Sequence, residues 1–134
     1  MTRRTFVLLG ILLIPIQVMA FQDNYSCKVK QVVRLNDAGN IVENIALSFL
    51  VGQSFVVNRM SGKLDGGNAW LQTSEHERVT VISDGRESNS FKSISVGKPP
   101  TSLATYLHIQ LVNTDQIKPF YITTSMSIIS GTCE

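Results

Sequence analysis

Two cysteines constrain this chain more than any other feature: Cys27 in "NYSCKVK", and Cys133 in the closing "ISGTCE". With only two, an oxidised chain has one possible connectivity, and that bond would fasten the last residues beside the first strand-forming segment. Whether it forms depends on compartment, because disulfides persist in oxidising environments and are rare in the cytosol.

The compartment is written at the start of the chain. "MTRRTFVLLGILLIPIQVMA" has a basic start at Arg3 and Arg4, an apolar run from Phe6 to Ile14, and Val18 and Ala20 at the positions a signal peptidase reads. The expectation is a secretory signal over residues 1–20, cleaved between Ala20 and Phe21, followed by a single β domain over residues 21–134. The apolar run is shorter than the roughly 20 residues needed to span a bilayer, and no later stretch reaches that length, so no membrane contact is expected after cleavage. "TRRTFV" also resembles a twin-arginine export motif, but the Leu/Ile-rich core favours the general secretory route. A periplasmic or secreted location follows.

Export makes Cys27–Cys133 the expected disulfide. Closing so long a loop stabilises by about 4–5 kcal/mol in the chain-entropy picture. A structural role is expected, because redox-active pairs usually stand close in sequence, and two thiolates without nearby histidines do not fill a zinc site. Export also changes the charge. The chain has 12 basic and 10 acidic residues; losing Arg3 and Arg4 with the signal makes the two numbers equal. The basic footprint of a nucleic-acid binder is then absent, and no nucleic-acid partner is expected.

The remaining sequence reads as short β-rich runs separated by turn residues. "YSCKVKQVVRL" leads into the turn cluster "NDAGN", and "IVENIALSFLVG" holds a strand or, at "VENIAL", a short helical turn. "SFVVNR" alternates and meets "MSG", a three-residue hairpin loop with Gly62 in the left-handed position, before the chain returns through "KLDGG". "ERVTVIS", "SFKSISVG", "LATYLHIQLV" and "PFYITTSMSIIS" complete the set. Leu103, Leu107, Ile109 and Leu111 share one face, as do Phe120, Ile122, Met126 and Ile128, with polar residues opposite. That period of two marks an antiparallel sheet with one buried side. The fold class expected is all-β: a small antiparallel meander of about eight strands, its termini joined by the disulfide. A closed barrel is preferred over a sandwich, because pairing the first and last strands would remove exposed edges.

"SFVVNRMSGKLDGG", with "YSCKVK" at the start, "SFKSI" midway, and "KPF" and "SGTC" near the end, resembles a group of small bacterial secreted or periplasmic β proteins. The resemblance implies a bacterial envelope protein and brings no activity with it. In plan alone the chain is also similar to the small periplasmic barrels that inhibit lysozyme, without their glycine-, tyrosine- and lysine-rich loop.

Motifs for chemistry are scarce. Neither His76 in "SEHERV" nor His108 in "TYLHIQ" has a second histidine at metal-ligand spacing. On an extended strand Glu75 and Glu77 would point away from His76, and His108 falls on the polar face of its strand. "GQSFV" is half a nucleophile elbow around Ser54, and "GKLDGG" lacks the phosphate-cradle spacing. Asp65, Asp84, Glu87 and Asp115 sit where turn residues belong. No catalytic residue, cofactor or metal is expected. The single tryptophan, Trp70 in "GGNAWLQ", reads first as a plug at a barrel end and second as an anchor for a partner. Trp70 and His76 are the candidate partner contacts. The expected function is a non-catalytic envelope binding module for a protein or glycan. An inhibitor of an extracellular hydrolase such as lysozyme comes second, and an enzyme with a non-local carboxylate pair third. Oligomeric state is left open.

Overall fold

The structure is a computed structural model that describes residues 23–100, 103–111 and 117–134. The expected signal and its cleavage site lie outside the described residues. The elements run β1 (Asn24–Leu35), β2 (Ile41–Glu43), a 3-10 helix (Ile45–Leu50), β3 (Ser54–Asn58), β4 (Leu64–Gly66) and a second 3-10 helix (Ala69–Leu71). Then follow β5 (Arg78–Asp84), β6 (Ser90–Val96), β7 (Ala104–Gln110), β8 (Lys118–Thr123) and β9 (Ile128–Cys133).

Eight strands form one antiparallel path, β4-β3-β1-β9-β8-β7-β6-β5, with β2 attached to β1. The expected pairing of first and last strands is present. Cys27 stands directly opposite Cys133 in the β1–β9 ladder, with Ser26 and Glu134 exchanging backbone hydrogen bonds of 3.2 and 2.9 Å beside them. The two sulfurs are bonded at 2.03 Å, and both cysteines are buried. The disulfide therefore lies within the sheet, covalently doubling a rung of an interior ladder.

That pairing does not close a barrel. It sits mid-sheet, and the ends of the path are β4 and β5, which share no ladder among the described residues. The strands instead curl into a half-barrel, and side chains draw its two edges together. In the β3–β4 turn Asn58 Oδ1 accepts hydrogen bonds from Met60 N, Ser61 N and Ser61 Oγ, and Gly62 takes a φ of +72°, as "MSG" predicts. The turn rests on the opposite edge: a Cβ on Gly62 would come within 3.0 Å of carbons of Val79, Val81 and Ser93. Beside it, Arg59 Nε donates to Asp84 O at 2.8 Å and its guanidinium stands over the Tyr25 ring. The "NRMSG" stretch is thus the clasp of the curl.

The core lies in the concavity. Alternation sends Phe55, Val57, Phe91, Leu107, Ile109, Phe120 and Ile122 inward, each contributing about 1.5–3 kcal/mol by leaving water. On β1 a bulge between Val29 and Gln31 shifts the parity, so Tyr25, Cys27 and Val29 face in on one phase and Val32 on the other. Leu47 and Leu50 of the first 3-10 helix and Leu71 of the second fill the remaining space.

Two expectations about faces fail. "PFYITTSMSIIS" is two strands joined by a turn, in which Thr124 N donates to Ser127 O and Thr124 Oγ1 accepts from Met126 N and Ser127 N. The turn resets the alternation, so Ile129 rather than Ile128 is buried and Met126 is 75% exposed. Leu103 precedes β7 and is likewise exposed, because its strand begins only at Ala104.

Candidate functional site

One end of the half-barrel gathers the β8–β9 turn, the β6–β7 connection and the segment that leads from β4 into β5. Between them lies a groove of about 690 Å³. Its polar residues include His76, Glu77, Ser95 and Lys98, and its apolar wall includes Trp70, Leu103 and Met126.

The wall at Trp70 is set by the second 3-10 helix. Asn68 Oδ1 accepts from Trp70 N at 3.0 Å and Asn68 O accepts from Leu71 N at 2.9 Å, winding one tight turn. A turn that short can direct only one of two neighbouring side chains inward. Leu71 is fully buried, and Trp70 is left 47% exposed. The plug role expected of Trp70 is therefore filled by Leu71, and Trp70 stands at the groove.

Residues 74–77 form a turn rather than an extended strand, closed by Glu77 N donating to Ser74 O at 3.1 Å. The expectation that Glu77 points away from His76 fails for that reason: both reach the groove. Ser95 Oγ donates to Glu77 Oε2, and Ser74 N donates to Oε1 at 3.4 Å. The carboxylate is thereby held between two segments of the wall. Behind it, Thr73 locks onto β4, with Leu64 N donating to Thr73 Oγ1 and Thr73 N to Leu64 O, both at 2.9 Å.

The groove does not stop at Trp70. Trp70 and Met126 also line an adjoining hollow of about 410 Å³, with Ile45, Ala46 and Leu47 on its far side. Met126, Leu103 (59% exposed) and Ile45 are all open to solvent at this end. Sequence reading missed Leu103 and Met126 because it placed both on the buried face. Their signal was the turn chemistry of "TTSMS" and of "GKPPTS", which ends the alternation on either side.

His108 sits elsewhere, on the outer face of the sheet. Lys92, His108 and Tyr121 stand in register across β6, β7 and β8, and His108 Nδ1 lies 2.9 Å from the Tyr121 hydroxyl. Partial burial, aided by the Lys92 charge, holds the imidazole below its ordinary range. Burial first, and then Tyr106, pushes the Tyr121 phenol up. Of the acids considered for a carboxylate pair, Asp84 is tied to its own turn, accepting from Arg86 N at 2.9 Å and meeting Arg86 Nε at 3.3 Å. Asp115 lies outside the described residues. Among the described residues no group of three or more His, Cys, Asp or Glu side chains could hold a metal ion.

Among the described residues no helix is long and apolar enough to cross a membrane. Compared with protein-family models, with curated proteins and with solved structures, the chain matches none.

Proposed function

We propose that the protein is an exported, non-catalytic binding module of the cell envelope, which holds a protein or glycan partner in the groove beside Trp70. The observation that carries this reading is the half-exposed indole at the mouth of a cleft whose wall is fixed by hydrogen bonds. A large aromatic side chain in a preformed hollow offers much contact area at little entropic cost, the usual character of an anchor. The clasped, disulfide-crossed sheet supports the reading by holding the connecting segments in place, and such segments commonly carry function.

Trp70 is the only tryptophan, so its fluorescence reports on the groove alone. Affinity capture from envelope extract and titration with soluble peptidoglycan fragments should both be run with wild type and Trp70→Ala. The expected outcome is a partner or fragment that perturbs the emission of wild type and is lost by the variant, whose melting temperature stays within a few degrees of wild type. Equal capture by both proteins, or no emission change with any captured partner, would refute the reading.

A further inference from the structure

Trp70 stands where two hollows meet. It lines both the groove of about 690 Å³ and the adjoining hollow of about 410 Å³, with Met126 also common to the two. Each is within the range of roughly 300–1,000 Å³ usual for a small ligand, so an occupant that fills both is an elongated one that passes the indole on its way.

The wall indicates what that occupant offers. An extended peptide is gripped through the backbone of an open strand edge. Here the backbone N–H groups of Trp70, Thr73, Glu77, Gly97, Thr124 and Met126 are already taken up by acceptors within the wall itself. Recognition then falls to side chains, and the one held in place is Glu77. Ser95 Oγ donates to Oε2 and Ser74 N to Oε1, which leaves about two of the roughly four acceptor positions of a carboxylate for a donor in the groove. Lys98 lines the same groove, so a cation there would meet a like charge as well as an opposite one. A neutral donor is the better match, and a hydroxyl facing a carboxylate makes a short, strong hydrogen bond. Trp70 matches something else, a flat apolar face. Hydroxyls around the edge and C–H groups on the face occur together in a pyranose ring whose substituents are all equatorial.

We infer that the ligand of the groove is a neutral, β-linked oligosaccharide of glucose configuration. One ring stacks on the Trp70 indole, a hydroxyl donates to Glu77, and the chain continues into the hollow beside Ile45. The inference rests on the groove reading and narrows its partner from a protein or glycan to a saccharide of stated chemistry.

Calorimetric titration of the exported chain with cellotetraose, chitotetraose and their two monosaccharides tests this. The expected result is that at least one tetrasaccharide binds, roughly tenfold or more tightly than its monosaccharide. Trp70→Ala should lose that binding and Trp70→Phe keep part of it. Glu77→Gln, which removes the charge and keeps an acceptor, should weaken it roughly tenfold, with all three variants melting within a few degrees of wild type. Binding of neither tetrasaccharide would overturn the inference, as would a monosaccharide that binds equally well, or affinity unchanged by Glu77→Gln. A protein captured by wild type and lost by Trp70→Ala, with neither tetrasaccharide bound, would overturn the saccharide and leave the groove reading standing. Saccharide binding indifferent to Trp70→Ala would overturn both.

Discussion

Tyr25 packs edge-on against Phe91 beneath the Arg59 guanidinium, yet its buried hydroxyl has no hydrogen-bond partner among the described residues. Desolvation of an unpaired hydroxyl costs about 1–3 kcal/mol, so Tyr25→Phe should be neutral or raise stability by up to about 1 kcal/mol in urea unfolding. A clear loss would contradict that packing. At His108 the prediction concerns pH. Burial and Lys92 hold the folded imidazole below its ordinary value of 6.5, so the unfolded chain binds the proton more readily. Stability contributed by the neutral ring is present above pH 6.5 and is lost as pH falls from there through the lowered folded value. Melting temperature measured from pH 7.5 to 5 should fall more in wild type than in His108→Gln; parallel curves would contradict the assignment. At this scale the sequence was legible where period and compartment decide, as at Cys27, Cys133, Leu107 and Ile109. Trp70 was not, because a 3-10 turn chooses between neighbours by space rather than by pattern.

Among the elements, the β3–β4 hairpin is the one whose sequence matters beyond its own strands. Its turn was legible in "NRMSG" from turn chemistry alone. That the same turn clasps β5 and β6 was not, since Arg59 reaches Asp84 across a separation no local pattern encodes. Gly62→Ala should lower stability by about 2–3 kcal/mol in urea unfolding, because it adds both a strained positive φ and a Cβ in contact with Val79 and Val81. A loss under about 0.5 kcal/mol would show that the clasp is loose. Gly131 is the second such position: a Cβ there would collide with the backbone oxygen of Lys28, where the β1 bulge brings the two backbones together. Gly131→Ala should therefore cost more than Gly62→Ala. "PFYITTSMSIIS" shows where alternation misleads, since the Thr124–Ser127 turn shifts the phase by one while apolar residues continue on both sides.

For the whole molecule, the topology places the cross-link in the interior of the strand order rather than at a seam. All-β class, antiparallel order and the disulfide were readable from periodicity and compartment. Openness was not, because whether β4 meets β5 depends on the short β4 and the 3-10 helix after it, which alternation cannot see. Replacing both cysteines by serine should lower stability by about 2–5 kcal/mol while leaving strand content at low denaturant unchanged. Export and the single bond beneath the fold meet in one measurement: intact mass and non-reducing peptide mapping of the protein recovered from the cell envelope. The expected result is a chain beginning at Phe21 and lighter by two hydrogens than its reduced form, with the Cys27 and Cys133 peptides joined. A chain that retains Met1, or free thiols at both positions, would contradict it.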